Sequence, residues 1–328
     1  MTWLITGGAG YIGSHVVAEM AGEERLVVLD DLSTGRADRL PEGVPLVVGS
    51  VLDRDLLDRV LADHAVTGIV HIAGKKQVAE SVERPLYYYR ENVDGLRTLL
   101  EAAAAAGVRR FLFSSSAAVY GMPDVDLVTE KTPCLPLSPY GETKLAGEWL
   151  VAAAGRAHGM ATASLRYFNV AGAASPELAD EGVFNLVPMV FERLEADEAP
   201  RIFGDDYPTP DGTCVRDYVH VEDIASAHVA AARRLARDPS AELVLNIGRG
   251  EGASVAEMVD LILDVTGRTG RTGLPPVSEA RRPGDPARVV ASVDAIAQEL
   301  DWSARYGIRT MVESAWAGWR LRRPRVPA

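Results

Sequence analysis

The chain has 328 residues, 47% of them hydrophobic and 24% charged, ordinary values for a folded protein with a well-buried core. Its formal net charge of −12 argues against nucleic acid or an anionic membrane surface as a partner of the whole molecule, though a small anion can still be held in a locally basic cleft. The two cysteines, Cys134 and Cys214, have neither metal-ligand spacing nor a disulfide framework, so a reducing, cytoplasmic setting is expected and no metal site is.

Leu4-Ile5-Thr6 reads as a short apolar strand, placed so early that no signal peptide is expected. No apolar run approaches the ~20 residues of a membrane span. Gly7-Gly8-Ala9-Gly10-Tyr11-Ile12-Gly13 follows, then a helical pattern from Ser14 to about Ala21, then the strand Leu26–Asp31, which ends in two acids. Strand, glycine turn, helix and acid-tipped strand form a dinucleotide-binding pattern. The glycines allow close backbone approach to a pyrophosphate, and the helix N-terminus supplies amide donors. Asp30 or Asp31 can accept from the adenosine ribose hydroxyls and would repel a 2′-phosphate, which favours NAD over NADP.

The alternation continues with a strand at Leu46–Val48, a helix at Asp55–Asp63 and a strand at Ile69–Ile72 that opens into Ala73-Gly74-Lys75-Lys76. A helix over Pro85–Ala106 precedes the strand Phe111–Phe113 and then Ser114-Ser115-Ser116. Such alternation builds a parallel sheet covered by helices on both faces, with ligands at the carboxyl ends of its strands. His71, inside a strand, reads as a core residue.

Ser138-Pro139-Tyr140-Gly141-Glu142-Thr143-Lys144 opens another helix, with Ser138 as N-cap and Pro139 at the first helical position. Tyr140 and Lys144 are four apart and share a face. A neighbouring ammonium favours phenolate, so the Tyr140 pKa is expected below its usual ~10, giving a base for neutral pH. After the strand Thr162–Asn169 the texture turns loop-like. A helix near Leu186–Leu194 and the polar loop Gly204–Gly212 begin a second lobe, and Val215–Asp223 and Leu243–Ile247 are expected to return to the sheet. Trp302, Trp316 and Trp319 read as packing residues.

Taken in order, Thr6–His15, Phe113–Gly121, Ser138–Lys144, Arg166–Asn169, the loop from Phe203 to Thr213, Val215–Tyr218 and Arg281–Asp285 resemble the extended short-chain dehydrogenase/reductase family along nearly the whole chain. Within it the likeness is to the enzymes that interconvert UDP-galactose and UDP-glucose at carbon 4. The resemblance implies an α/β, Rossmann-type doubly wound parallel sheet with a smaller C-terminal α/β substrate-binding lobe. Residues 1–168 would form the NAD domain, its sheet completed by segments near 213–232 and 242–250, and 169–328 the UDP-sugar lobe, mainly 169–212 and 251–328.

It also implies roles. Tyr140 would take the proton from the sugar 4-hydroxyl as carbon 4 gives its hydride to NAD, Lys144 would lower the phenol's pKa and bind the nicotinamide ribose, and Ser116 would bond the 4-oxygen. The 4-keto sugar would turn over and take the hydride back on its other face. The cofactor would touch Gly7, Gly10, Tyr11, Ile12, Gly13, Asp30, Asp31, Ser50, Val51, Ile72, Ala73, Gly74, Lys76, Asn92, Ser114, Tyr140, Lys144 and Tyr167. Arg216 and Arg282 would hold the diphosphate, Asp285 the uridine ribose, Asn169 and Asn185 diphosphate or sugar, with Phe203 beside uracil and Tyr218 lining the site. A homodimer would pack through Pro85–Ala106 and Tyr140–Ala157.

Three positions depart from the family pattern. Ser50 stands where many relatives carry an Asp that contacts adenine, and Ala118 where some carry Thr. Val289 is intermediate in size between the bulky Tyr that closes the sugar pocket in some members and the small residue that opens it in others, so the pocket would admit UDP-N-acetylhexosamines. A dehydratase or decarboxylase would need an acid where Ala117 and Ala118 stand. An epimerase of UDP-glucuronate or UDP-arabinose is the nearer alternative, and a non-catalytic nucleotide-binding regulator is opposed by the presence of Ser116, Tyr140 and Lys144 together.

Overall fold

Short apolar strands alternate with helices, so successive strands run the same way and pair in parallel. The computed structural model describes residues 1–269, 275–282 and 284–322. Pro283 of the Arg281–Asp285 motif lies outside the described residues, as do the stretches 270–274 and 323–328 of the expected second lobe. In chain order the elements are β1 (Thr2–Thr6), α1 (Tyr11–Met20), β2 (Arg25–Asp30), β3 (Leu46–Val48), α2 (Arg54–Asp63), β4 (Gly68–His71), α3 (Val78–Glu83), α4 (Pro85–Tyr88), α5 (Gly95–Ala105), β5 (Arg110–Ser116), α6 (Pro139–His158) and β6 (Ala161–Tyr167). They continue with β7 (Asn169–Ala171), α7 (Leu186–Glu195), β8 (Arg201–Phe203), β9 (Val215–His220), α8 (Val221–Arg237), β10 (Glu242–Ile247), β11 (Gly252–Ser254), α9 (Val255–Val265), β12 (Val277–Glu279), β13 (Arg288–Val289), α10 (Asp294–Leu300) and α11 (Ile308–Arg322).

The central sheet has seven strands in the order β10-β6-β5-β4-β1-β2-β3, all pairs parallel. Side chains alternate between its faces. Trp3 and Ile5 of β1 and Leu112 of β5 enter the core on the α1 and α8 side, while Leu4, Phe111 and Phe113 enter the core built with α2, α5 and α6. A third core, around Phe191, Met258 and Met311, belongs to the second lobe, where Trp316 and Trp319 pack on Phe191.

Three sequence expectations need correction. The first helix starts at Tyr11 rather than Ser14, because the glycine turn leads straight into it with Gly10 as its extended N-cap. The helix expected over Pro85–Ala106 is interrupted: a π-helical turn, Tyr89–Asp94, separates α4 from α5. Finally, β9 does not return to the central sheet. It pairs with β7, β11 and β13 in a second sheet, because β6 already has β5 on one side and β10 on the other. Only the following helix, α8, packs back on the central sheet and on α1.

Candidate active site

The carboxyl edge of the central sheet is shaped by the turn after β1. Gly7 has a φ of +72°, and a Cβ there would lie 2.6 Å from the Ala73 amide nitrogen. A Cβ on Gly13 would lie 2.0 Å from the Gly7 carbonyl oxygen. The turn is thus packed between the end of β4 and the first turn of α1, an arrangement in which the amides at the N-terminus of α1 can receive an anion. Asp30, at the tip of β2, braces the turn: its Oδ2 accepts from Ala9 N at 2.9 Å and its Oδ1 from Leu32 N at 2.9 Å. Burial pushes its carboxyl upward, against these amides. Asp31 is more exposed, and although burial raises its pKa, the stronger combined pull of Ser33 and Lys75 holds it below its ordinary value.

Lys75 is a residue that sequence reasoning passed over. Its Nζ donates to Ser33 Oγ at 3.0 Å and lies 3.7 Å from Asp31 Oδ2, tying the loop after β4 to the loop after β2 across the glycine turn. Lys76, which sequence reasoning chose, is the more exposed of the two, and both line the cleft. Asn92 sits in the π-helical turn. Its Oδ1 accepts from Lys75 N at 2.8 Å and its Nδ2 donates to Lys75 O at 3.0 Å and Thr143 Oγ1 at 3.1 Å. The extra residue of a π turn re-aims a side chain in this way. Ser50 and Val51 line the same cleft, with Ser50 Oγ accepting from Leu52 N at 3.1 Å. Tyr11 turns its hydroxyl away from the turn and donates to Gly172 O at 2.6 Å, joining α1 to the start of the second lobe.

The opposite wall comes from β5 and α6. Ser138 caps α6 by accepting from Gly141 N at 3.2 Å, Pro139 occupies the first turn, and Gly159 closes the helix in the left-handed conformation. This places Tyr140 and Lys144 over the end of β5. The Lys144 ammonium, buried, donates to the Ser114 carbonyl at 2.8 Å and stands 6.0 Å from the centroid of the Tyr140 ring. Burial lowers the Lys144 pKa to about 8, against an opposing pull from Glu148 one turn on. Burial also pushes the Tyr140 phenol up, with the Ser116 hydroxyl drawing it back. The expected depression of the phenol by Lys144 is therefore not met: the ammonium spends its best direction on a backbone carbonyl, and the dominant influence on the phenol is desolvation. Ser116 caps the short turn that follows β5, its Oγ accepting from Ala118 N at 3.2 Å.

Behind this wall lies a buried polar network that sequence reasoning also missed. Arg166 of β6 forks onto Glu148 of α6, with Nε 2.8 Å from Oε1 and Nη2 2.6 Å from Oε2. The Arg166 Nη1 donates to the Tyr120 hydroxyl at 2.7 Å, and the Ser115 hydroxyl donates to Glu148. The paired carboxylate holds the guanidinium above its ordinary pKa, overcoming burial.

Gly7, Gly10, Tyr11, Ile12, Gly13, Asp30, Asp31, Ser50, Val51, Ile72, Ala73, Gly74, Lys76, Ser114, Tyr140, Lys144 and Tyr167 line one cleft of about 380 Å³. Asn92 stands behind Gly74, and a Cβ on that glycine would meet its Oδ1 at 3.1 Å. The glycine turn, the helix N-terminus beside it and the carboxylates of Asp30 and Asp31 at the tip of β2 fit a dinucleotide.

The residues expected at the sugar nucleotide collect in the second lobe. Register sets Asn169 opposite Tyr218 and Val289 opposite Arg216, so β9 gathers them. Strand alternation turns Arg216 and Tyr218 one way and Asp217 the other, where Asp217 accepts from the amides of Arg249, Gly250 and Ala291. Arg216 Nη2 lies 3.7 Å from Asp285 Oδ1, and the Arg282 guanidinium stacks 3.9 Å over the Phe203 ring. Asn185 precedes α7 and donates to Asp180 at 3.3 Å. Among the described residues no cluster fit to bind a metal ion occurs.

A family model described as "NAD dependent epimerase/dehydratase family" matches residues 3–248. The chain is 44% identical over 308 residues to a UDP-glucose 4-epimerase of Azospirillum brasilense, covering 92% of this chain and 87% of the relative. Its fold superposes with a TM-score of 0.91 on a UDP-glucose 4-epimerase from Stenotrophomonas maltophila with bound NAD and formylated UDP-arabinopyranose, at 37% identity and 98% coverage of each chain. The UDP-Glc/GlcNAc 4-epimerase of Campylobacter jejuni gives a TM-score of 0.85 at 33% identity, covering 98% of this chain and 99% of that one.

Proposed function

The chain belongs to the NAD dependent epimerase/dehydratase family, and on that footing we propose how its residues carry out the reaction. The protein is an enzyme that interconverts UDP-galactose and UDP-glucose through a transient 4-keto sugar. Bound NAD supplies the acceptor and donor of the carbon-4 hydride. Tyr140 takes the proton of the 4-hydroxyl and returns it when the cycle closes. Burial favours the neutral phenol, and the positive charges of Lys144 and of the nicotinamide ring when bound would favour the phenolate that accepts the proton. Ser116, hydrogen-bonded toward Tyr140, orients the 4-oxygen. Lys144, pinned to the Ser114 carbonyl, keeps positive charge beside the phenol and bonds the nicotinamide ribose. Arg216 and Arg282 hold the diphosphate, whose geometry suits forked donors. Asp285 takes the uridine ribose, Phe203 faces uracil, and Asn169, Asn185 and Tyr218 complete the sugar-nucleotide pocket.

The observation that carries this reading is the convergence of Tyr140, Lys144 and Ser114 with the glycine turn on one cleft. Tyr140→Phe tests it. Turnover of UDP-galactose is expected to fall by about 10²–10⁴, while NAD and UDP-sugar binding persist. Near-full turnover in that variant would remove Tyr140 as the base.

Val289 is buried in one cluster with Val119, Tyr120 and Phe168, and its middling volume supports acceptance of UDP-N-acetylhexosamines as well. Two copies pair through the helices of residues 85–105 and α6. Supporting this are Leu86, 84% exposed, and Trp149, 65% exposed, on the same helical layer. The free thiols of Cys134 and Cys214 support a cytoplasmic location.

A further inference from the structure

We propose that Lys75 is the clasp of the dinucleotide cleft: it joins the loop after β4 to the loop after β2 above the glycine turn, and bound NAD leaves only when that join opens. The inference rests on the reading that NAD lies in this cleft with its diphosphate at the N-terminus of α1.

The strand order makes the join cross the cofactor. In the central sheet β1 lies between β4 and β2, with neighbouring strands about 4.8 Å apart. A bond between the loops that follow β4 and β2 therefore passes over the end of β1, where the glycine turn stands. Lys75 makes that bond: its Nζ donates to Ser33 Oγ at 3.0 Å and lies 3.7 Å from Asp31 Oδ2. Lys75, Ser33 and Asp31 line the cleft together with Gly7, Gly10 and Gly13, so the bridge spans the cleft itself. Asp31 and Ser33 are exposed, which sets the bridge at the mouth.

Both jaws of the clasp are fixed. The Lys75 backbone is held by the Asn92 amide, at N over 2.8 Å and at O over 3.0 Å. Opposite it, Leu32 takes a φ of +55°, in the left-handed region that a leucine rarely adopts. The chain turns back there, and the Ser33 amide and hydroxyl both donate to Asp31 Oδ1, at 2.9 and 2.6 Å. With its proton spent on Asp31, Ser33 Oγ offers only lone pairs to Lys75, and Asp31 offers its other oxygen. What opens between the jaws is a pair of side-chain contacts at the surface, weak enough to break and remake. Lys75 thus sets how long the cofactor stays, a role separate from proton or hydride transfer.

The test reads cofactor release. Holoenzyme carrying labelled NAD is mixed with excess unlabelled NAD, with no sugar present, and loss of label is followed in time. Lys75→Met removes the bridge and should speed release by about five- to tenfold, the effect of one exposed ion pair with its hydrogen bond. Ser33→Ala removes the hydroxyl that Nζ bonds but keeps both charges, and should speed release by about threefold. The double variant should release no faster than Lys75→Met, because both changes open one clasp. If Lys75→Met does not fold, Ser33→Ala, at an exposed position, decides. Parental release in a folded Lys75→Met overturns the proposal. So does parental release in Ser33→Ala, since a lysine that only attracts the diphosphate is indifferent to that hydroxyl, and so does a double variant in which the two effects multiply. A parent protein that retains no labelled NAD removes the cofactor reading itself, and the clasp with it.

Discussion

The Lys144 ammonium is bonded to the carbonyl oxygen of Ser114, 2.8 Å away and two residues before Ser116 on the same strand. A side chain from α6 is thereby locked to the end of β5, and Tyr140, one helical turn earlier, is held over the strand end that carries Ser116. The geometry is obtained at the expense of a buried charge.

That charge predicts a pH-dependent stability. The folded-state pKa of Lys144, about 8, lies below its ordinary 10.5. Below pH 8 the ammonium is present in both states and its burial penalty is complete. Between pH 8 and 10.5 the unfolded chain binds more protons, so stability contributed by this group rises with pH. Lys144→Met is expected to be more stable than the parent at pH 7, on the order of 1 kcal/mol, with the gap closing toward pH 10. Urea unfolding at the two pH values measures this. A variant less stable at pH 7, or a gap that widens with pH, contradicts it.

The Arg166–Glu148 pair predicts the reverse behaviour, loss of stability on removing a charge. Arg166→Leu leaves a buried carboxylate without its forked partner and should cost about 3–5 kcal/mol. Replacing both residues by apolar ones should recover most of that loss. Thermal or urea denaturation of the two single variants and the double variant checks it, and a single variant as stable as the parent counts against a tightly coupled pair.

Trp149 tests the pairing of copies. A carboxylate placed in an apolar contact is costly to desolvate. Trp149→Glu is expected to shift the protein from dimer to monomer in sedimentation equilibrium, without loss of helical content. A parent protein that sediments as a monomer removes the pairing altogether.

Val289 tests the choice of sugar. The parent should turn over UDP-N-acetylglucosamine as well as UDP-galactose, and Val289→Tyr should lower the first relative to the second by about tenfold through crowding at the 2-substituent. Product analysis with the two substrates measures it. No detectable turnover of the acetylated sugar by the parent sinks this reading of position 289.

Much of this architecture was legible because its signals are local. Ser138 and Pro139 mark the start of α6, and the apolar runs of β1, β2, β4 and β5 mark the sheet. The glycine turn is legible for the same reason, since its steric demand falls on neighbours in sequence as well as in space. What stayed hidden is set by tertiary contact. The alternation Val215–His220 suits either sheet, and only the prior claim of β10 on the edge of β6 excludes it from the first. The π-helical turn depends on Asn92 bonding the backbone of Lys75. Spacing made Tyr140 and Lys144 neighbours, but could not reveal that the ammonium turns to Ser114. Lys75 looks like any surface lysine until Asp31 and Ser33 come around to meet it.

The place of β10 at the edge of the central sheet carries a consequence for biosynthesis. β6 ends at Tyr167, yet the strand that covers its open side is Glu242–Ile247. A ribosome must add roughly 75 more residues, at about 5–20 per second, before that edge can be closed. For several seconds the nascent chain presents Leu165 and its neighbours as an unpaired, apolar ribbon, a ready template for pairing with another chain. Shortening the protein after β6 would make that interval permanent, so the NAD-binding half is expected to need the later segment for its solubility.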